Sequence, residues 1–434
     1  MTYASDNGSA QRDALDSIYA KVTRRVLPLL FICYMVAYLD RVNISFAKLQ
    51  MQQELAISEA VYGLAAGIFF LGYVLFEIPS NLLLTRIGAR KTLSRILVLW
   101  GVTSVCMIFV RDASSFYILR FMLGVFEAGF GPGMLFYLTL WYSSSRLAGV
   151  TAMVLVAAPV ASMIGGPLSG WIMKGLHGQS GLSGWQWMFL AEGVPAMLLG
   201  FLTFMSLKDS PEQATWLTAD ERSLLKLDVG AHARSKQHAF SGALRDPAVY
   251  TLALVCFCVI SGIYTISFWL PTLLKGAGVT SVLQVGLYCA IPNAAAACAM
   301  IGFARRSDQH GERRRHVVAL MLAGALSLAV CAQAVDSFWI ELLSSSFATC
   351  FLLAGLSVFW AIPAEFLNGP AAAGGIALIN SIGLLGGVVS PALIGYLKTA
   401  TGSIQGGFWT TVAILVFGAL LLLRSRSFDR MEAT

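Results

Sequence analysis

The sequence predicts an all-α polytopic membrane protein, in which twelve transmembrane helices form two pseudo-symmetric six-helix bundles. Three observations support this fold class: a charge content too low for a soluble surface, twelve separate apolar stretches, and motifs that recur at one offset. Of the 434 residues, 57% are hydrophobic and 12% are charged, and the mean hydropathy is +0.72. Soluble globular proteins are about 45–50% apolar and about 25% charged. The composition therefore excludes a soluble globular protein.

Apolar windows about 19 residues wide mark twelve candidate spans, each near the roughly 20 residues that a helix needs to cross a bilayer. The first set lies at 26–47, 60–84, 94–110, 115–140, 148–173 and 186–207. The second set lies at 248–274, 280–303, 316–334, 337–361, 371–397 and 405–423. We therefore divide the chain into a tail (1–25), a six-helix bundle (26–207), a linker (208–246), a second six-helix bundle (247–424) and a tail (425–434).

Lysine and arginine are distributed unevenly among the connections. Twenty-three of the 30 lie in the tails, the linker and alternate loops, and Arg41 and Arg120 lie inside spans. The loops of the other face carry one each: Lys48, Arg111, Lys174, Lys275 and Lys398. By the positive-inside rule, both tails and the linker are expected in the cytoplasm. The membrane itself is expected to be a bacterial inner membrane. The net charge of +7 thus reports orientation, and no nucleic-acid partner is expected.

The cysteines and the N-terminal segment give two further expectations. The eight cysteines show no metal-ligand spacing and lie mostly in apolar runs, as small packing residues do. Neither a metal nor another cofactor is expected. The polar segment from Met1 to Lys21 lacks a cleavable signal pattern, so the first span is expected to be an uncleaved anchor.

Motifs recur between the two bundles. The loop after span two contains Arg86, Gly88, Arg90 and Lys91, and the loop after span eight contains Asp308, Gly311, Arg313 and Arg314. The glycines and the two basic positions that follow are all separated by 223 residues, and Gly/Pro motifs of spans five and eleven lie at nearly the same offset. An internal repeat of this kind predicts two related halves with a site between them near the membrane midplane. Gly and Pro are also concentrated in spans four, five, ten and eleven, where they serve either helix packing or bending.

The first half also contains three distinctive motifs: Leu39-Asp40-Arg41-Val-Asn43-Ile-Ser, Ile78-Pro79-Ser80-Asn81, and Arg120-Phe-Met-Leu-Gly124-Val-Phe-Glu127-Ala-Gly129. Together with the repeated loops they resemble the anion:cation symporter family of the major facilitator superfamily. That family includes proton-coupled permeases for tartrate, phthalate, 4-hydroxyphenylacetate and sugar acids. The resemblance implies the major facilitator fold, alternating access and a monomer. One departure is Thr85, which stands where the family's first loop has an aspartate, whereas Asp308 keeps it in the second loop.

Charged residues inside spans are the strongest functional candidates, because each costs about 2.5–3.5 kcal/mol to insert. Adjacent residues of a helix point about 100° apart, so Asp40 and Arg41 are not expected to neutralise each other. We assign Arg41 to a substrate carboxylate, which a guanidinium binds bidentately, and Asp40 to a proton. The alternative is that either residue makes a structural ion pair with another helix.

Arg120 and Glu127 lie seven residues apart in span four, on one helical face and about 10.5 Å apart along the axis. The resemblance implies that Glu127 is the main protonation site and Arg120 its charge-balancing partner. The alternative is that Glu127 only holds helices together. Among the other acidic residues, Glu77 is expected to form a salt bridge at the cytoplasmic end, near Arg86 and Arg90, with proton carriage as the alternative. Glu192 and Glu365 are expected at the membrane interface.

The second half lacks matching charges, because at the same offset Arg41 corresponds to Tyr264 and Glu127 to Cys350. The second half is therefore expected to supply shape and hydrogen bonds. The candidates for substrate contact are polar or aromatic: Tyr264, Ser357, Trp360 and Asn380, with Tyr38 and Tyr73 from the first half. An asparagine in mid-membrane requires a partner, whereas Trp360 could equally face lipid.

These features predict a secondary active transporter that takes up a small organic carboxylate with protons as the coupling ion. The expected partners are the organic anion, protons and the lipid bilayer. The alternative is a proton-coupled antiporter of organic cations, although two arginines in the pore disfavour it. An enzyme is not expected, since the metalloprotease and P-loop motifs HExxH and GxxxxGK[ST] are missing.

Overall fold

The computed structural model describes residues 3–231, 246–310, 312–333, 337–366 and 370–425, and this part of the chain is built from helices. The first half contains α1 (Tyr3–Glu54), α2 (Glu59–Ile87), α3 (Ala89–Cys106), α4 (Ala113–Glu127), α5 (Phe130–Thr139), α6 (Ser144–Leu155), α7 (Ala157–Gly175) and α8 (Gly184–Ser206), followed by the linker helix α9 (Ala219–Ala231). The second half contains α10 (Pro247–Gly276), α11 (Val282–His310), α12 (Arg313–Gln333), α13 (Phe338–Phe359), α14 (Ala361–Phe366), α15 (Pro370–Leu384), α16 (Gly386–Thr401) and α17 (Gln405–Arg424).

In the described residues, twelve helical segments are long and apolar enough to cross a membrane. This confirms the predicted fold class. The main difference concerns α1, a single helix that begins at Tyr3 and ends at Glu54. The apolar window showed only 26–47, because the polar turns at both ends of this helix lower its hydropathy. Between α8 and α10 lies the predicted linker, of which 232–245 is outside the described residues, as is 426–434 of the predicted C-terminal tail.

Four spans are each built from two helices: α4 with α5, α6 with α7, α13 with α14, and α15 with α16. These are spans four, five, ten and eleven, in which the sequence concentrates Gly and Pro. In span four, the break is at Gly129, whose φ of +84° is the left-handed conformation that a side chain disfavours. A Cβ there would also lie 2.7 Å from the Ser80 hydroxyl oxygen. The break leaves Glu127 as the last residue of α4.

The two halves pack against each other through glycines in related helix pairs, α2 with α16 and α7 with α11. A Cβ on Gly67 would lie 2.5 Å from the carbonyl oxygen of Val388, and one on Gly166 would lie 2.5 Å from that of Gly286. Backbones this close leave no room for a side chain, as in other membrane helix pairs that use small residues. The pairing joins the second span to the eleventh and the fifth to the eighth.

We call the end of the bundle where α1 begins and α17 ends the terminal end, and the other the far end. At the terminal end, the linker docks on α1: the Tyr19 hydroxyl donates to Asp228 Oδ2 at 2.6 Å, and Lys21 pairs with Glu221. The hydrogen bond from Lys21 lowers the pKa of Glu221. The linker is thus attached to the first half of the protein.

Candidate functional site

A buried ion pair lies at the centre of the bundle. Arg41 of α1 donates from Nη2 to Glu127 Oε1 at the end of α4, and their side chains are 12% and 1% exposed. The partial negative charge at the C-terminus of α4 opposes an anionic Glu127, so the arginine is what stabilises the carboxylate there. The second oxygen, Oε2, makes no hydrogen bond in the described structure.

Aromatic rings surround the Arg41 guanidinium. Its carbon Cζ lies 5.2 Å from the ring centre of Tyr38, 5.4 Å from that of Tyr73 and 5.7 Å from that of Phe69. Ring faces attract a cation, and the hydroxyl groups of the tyrosines add polar contacts for a ligand. From the second half, Tyr264 lies within electrostatic reach of Arg41, and its ring centre is 4.4 Å from that of Phe70. Sequence reasoning had singled out all three tyrosines, and the structure brings them together here.

Arg120 is completely buried but is not in an ion pair with Glu127. Its Nε donates to the Ala65 carbonyl oxygen at 3.3 Å, and both Nη atoms lack a hydrogen-bond partner among the described residues. Its Cζ lies 4.9 Å from the ring centre of Phe69. This agrees with the sequence spacing, which separates the two residues by two turns of helix and leaves them too far apart for a direct contact. The direct partner of Glu127 is Arg41, and the charge-balancing role of Arg120 stays a prediction.

Asp40 faces away from Arg41, as its position on the helix predicts. Its carboxylate accepts hydrogen bonds from Trp100 Nε1 at 2.7 Å, Ser104 Oγ at 2.6 Å and Asn43 Nδ2 at 3.2 Å. Asp40 is 1% exposed and lies within electrostatic reach of Arg120. Three donors and a nearby guanidinium suit the anionic form of this carboxyl group.

Glu192 of α8 is also buried, which corrects the expectation that it lies at the interface. It is 4% exposed and accepts from Asn43 Nδ2 at 2.6 Å and from Ser169 Oγ at 3.4 Å. The sequence showed only that Glu192 lies near the start of an apolar window. It did not show that this side of α8 packs against α1 and α7. Asn43, three residues after Asp40 in the same span, was the available signal.

Glu77 connects the two halves. Its oxygens accept from Asn380 Nδ2 at 3.5 Å and from Ser381 Oγ at 3.3 Å, both on α15. The expected salt bridge of Glu77 with Arg86 or Arg90 was wrong, because Glu77 faces the other half. Arg86 is exposed about two and a half turns further along α2, and Arg90 lies beyond the end of α2. The expectation that Asn380 has a polar partner is confirmed.

Two other candidates from the second half make their polar and ring contacts locally. The Ser357 hydroxyl donates to the Ala354 carbonyl oxygen of its own helix at 2.7 Å. Trp360 occupies the break between α13 and α14, and its ring packs against Phe359 with centres 5.6 Å apart. The structure therefore does not connect these two residues to the ion pair through a direct contact.

A small polar cavity lies between the halves, next to α1 in the segment that follows Arg41. Its volume is about 50 Å³, which is room for one or two water molecules. Sequence reasoning missed its polar lining, because hydroxyl groups in an apolar helix usually bond to their own backbone. The polar lining residues are Ser45, Ser162, Ser267, Asn293 and Thr349. In this state the cavity is too small for a hydroxy acid.

A cluster of charges joins the two halves at the far end, and we call it the lysine–glutamate cluster: Lys48, Glu59 and Lys398. Lys48 Nζ lies 2.6 Å from Glu59 Oε2, and Lys398 Nζ lies 2.6 Å from Glu59 Oε1. Glu59 and Lys48 belong to the first half, whereas Lys398 belongs to the second. Lys48 was expected in a loop, and this was wrong: α1 continues past it, and its side chain is 0% exposed.

Residues of the second half surround the same cluster. Lys48 Nζ donates to Thr272 Oγ1 at 2.9 Å and lies 3.9 Å from the ring centre of Trp269. Nearby, the Tyr62 hydroxyl donates to the Phe268 carbonyl oxygen at 3.0 Å. Hydrogen bonds between the halves therefore reinforce the ion pairs, and together they hold the two halves against each other at the far end.

At the terminal end, Asp209 caps the start of α3. It follows α8 and accepts the backbone N–H of Arg90 at 2.7 Å, at the start of α3. Gly88, with φ +90°, leaves space for it, since a Cβ there would lie 2.8 Å from Asp209 Oδ2. Lys91, which belongs to the same repeated loop, is exposed.

In the second repeated loop, Arg313 is the first residue of α12. Next to it, Arg314 Nε donates to the Leu422 carbonyl oxygen at 3.0 Å, which joins this loop to the end of α17. The Asp308 side chain and Gly311 lie outside the described residues.

Known proteins resemble this chain over most of its length. Residues 30–368 match the profile of the Major Facilitator Superfamily. A protein of Agrobacterium vitis named "Putative tartrate transporter" is 44% identical, over 96% of this chain and 93% of its own. A "Quinolone resistance transporter" of Acinetobacter baumannii is 40% identical, over 92% and 93%. The crystal structure of a bacterial homolog of the human lysosomal transporter Spinster superposes with a TM-score of 0.79 at 17% identity, over 94% of this chain and 97% of that one.

Proposed function

The chain belongs to the major facilitator superfamily, and from that premise we propose that it is a proton-coupled symporter of a small organic carboxylate. The observation that carries this proposal is the buried Arg41–Glu127 pair with its ring of tyrosines. A guanidinium can bind the carboxylate of a substrate in the same way as it binds the carboxylate of a glutamate. Glu127 therefore occupies the position that the carboxylate of a substrate would take.

Competition for Arg41 couples the substrate to a proton. When a substrate carboxylate pairs with Arg41, Glu127 loses its cation while it remains buried at a helix C-terminus. An isolated buried carboxylate is so unfavourable that it takes up a proton. One negative charge and one proton then enter the site together, and a monoanion is carried without net charge. Release of the substrate on the other side returns Arg41 to Glu127 and expels the proton.

Alternating access requires the far end to open, and the lysine–glutamate cluster is the barrier. Opening separates Glu59 from Lys398 but leaves it paired with Lys48, since these two belong to the same half. On the basis of the distribution of Lys and Arg, we propose that the far end lies outside the cell and that both termini lie in the cytoplasm. The membrane that the protein spans is then a bacterial inner membrane. The state described is then closed to the outside, and the transporting unit is a monomer.

The test is uptake into proteoliposomes with an inward proton gradient and a panel of hydroxy, sugar and aromatic acids, tartrate included. We expect accumulation of at least one acid, and none when the gradient is collapsed by a protonophore. Uptake that ignores the gradient, or a panel in which only cations move, would contradict the proposal.

Export of organic cations in exchange for protons is the second candidate function. The relative named for quinolone resistance favours it. The two buried arginines oppose it, because a cation bound beside the Arg41–Glu127 pair would meet their charge. Quinolones themselves carry a carboxylate, so the discriminating ligands are cations without one. Binding of such a cation in competition with tartrate would favour the antiporter.

A further inference from the structure

Around Asn43 and Arg41, the first half contains three buried carboxyl groups and two arginines. The other buried charges of this half lie elsewhere, since Glu77 faces the second half and Lys48 belongs to the lysine–glutamate cluster. Arg41 and Glu127 form one pair, and Arg120 lies within electrostatic reach of Asp40. Glu192 is the third carboxyl group, and no cation contacts it among the described residues. If all five groups were charged, this core would carry one uncompensated negative charge. Burial of a lone carboxylate costs so much that the group binds a proton instead.

The hydrogen bonds indicate which carboxyl group holds that proton. Both hydrogens of the Asn43 amide are used, one toward Asp40 and one toward Glu192, so a single amide lies between the two acids. Asp40 has two more donors at short distance, whereas Glu192 has only Ser169 at 3.4 Å. A hydroxyl group can accept as well as donate, so Ser169 Oγ can accept a hydrogen bond from the protonated carboxyl group of Glu192.

We propose that Glu192 is a resident proton-binding site, whose proton stays in place through the transport cycle and keeps the core of the first half electrically neutral. It differs from Glu127, whose proton enters and leaves. The neighbouring helices support this distinction: α3 and α7 present only uncharged donors to the Asp40–Glu192 pair. The charged groups near it are Arg41, Arg120 and Glu127, and none of them contacts Glu192 directly.

The location of Glu192 also separates it from the substrate path. It lies eight residues after Gly184, about 12 Å along α8 from the far end. Asn43 and Asp40 stand between it and the Arg41–Glu127 pair. A proton held there fixes Asn43, and Asn43 in turn positions Asp40. The statement about the cycle rests on the proposed function, whereas the protonated state of Glu192 does not.

The first test is infrared spectroscopy of the purified, full-length protein at neutral pH. We expect the stretching band of a protonated carboxyl group in the wild-type protein and its loss in Glu192→Gln. The matched control is Glu54→Gln, which removes an exposed carboxylate that accepts from Ser183 and Trp185 at the start of α8. The control should leave the band unchanged. A wild-type spectrum without the band contradicts the proposal even if the variant does not fold, and so does a band that Glu192→Gln retains.

The second test compares glutamine variants in proteoliposomes under a gradient of one pH unit, with tartrate as the probe. Glu192→Gln should accumulate tartrate to the wild-type ratio, because glutamine reproduces the neutral acid, whereas Glu127→Gln should not accumulate it. If Glu192→Gln loses accumulation while Glu54→Gln keeps it, the proton on Glu192 moves and the inference is wrong. If the wild-type protein itself ignores the gradient, the proposed function fails and the infrared result alone decides the state of Glu192.

Discussion

Replacing Glu127 with glutamine separates substrate binding from proton coupling. Glutamine keeps the size of the side chain and can accept one N–H from Arg41, but it cannot take up a proton. With one proton per substrate, a gradient of one pH unit supports about tenfold accumulation, equivalent to about 1.4 kcal/mol. We expect Glu127→Gln to reach a ratio of about one, while exchange of labelled for unlabelled substrate continues. The glutamine also leaves the positive charge of Arg41 uncompensated, and removal of one partner of a buried pair destabilises by about 3–5 kcal/mol.

The assay is accumulation of labelled substrate in proteoliposomes with the membrane potential held at zero, followed by a binding measurement at several pH values. Wild-type affinity should fall about tenfold for each unit of rising pH above neutrality, because substrate binding takes up a proton. The affinity of Glu127→Gln should be independent of pH over the same range. Because the substrate carboxylate restores a partner to Arg41, saturating substrate should raise the thermal stability of the variant more than that of the wild-type protein. Uphill accumulation by Glu127→Gln would refute the assignment of the coupling proton.

Three other substitutions test other parts of the structure. Arg41→Lys keeps the charge but loses the bidentate geometry, so substrate affinity should fall by about tenfold to a hundredfold in equilibrium binding. An unchanged affinity would contradict the pairing of substrate with Arg41. Glu59→Gln removes both ion pairs of the lysine–glutamate cluster and should favour the state that is open at the far end. A cysteine introduced at the far end should then react faster with a membrane-impermeant thiol reagent. An unchanged reaction rate would show that the cluster is not the barrier. Gly67→Val places a side chain against the Val388 carbonyl oxygen and should prevent the two halves from closing on each other. Transport should therefore stop while the protein still folds. Normal uptake would contradict the packing argument.

The fold was predictable because hydropathy reports directly on what the membrane requires. Twelve apolar windows gave the number of spans, and the repeat gave the division into halves. The ends of α1 were not predictable in this way, since a helix can continue beyond the bilayer in polar sequence. The breaks in spans four, five, ten and eleven coincide with the Gly and Pro clusters, yet the sequence did not separate bending from packing. The backbone at Gly129 shows a bend, whereas Gly67 and Gly166 serve packing.

The central residues of the site were predictable, but several of their pairings were not. Arg41 and Glu127 stood out because a charge inside a span requires a reason. Their direct contact could not be seen, because it depends on the rotation of α1 against α4. The same limit explains Glu192 and Glu59, which lie near predicted span ends where acidic residues are usual. Asp209 was missed because its partner, the start of α3, is 119 residues away in the chain.

Phe69 has a consequence for ion selectivity. The guanidinium groups of Arg41 and Arg120 both lie over its ring, with Cζ at 5.7 Å and 4.9 Å from the ring centre. A single aromatic side chain thus serves two cations, and its bulk keeps them apart. In the proposed cycle, Arg120 keeps its place beside Phe69 when a substrate pairs with Arg41. A cation that entered the occupied site would therefore still meet a buried guanidinium, in keeping with the proposed preference for anions.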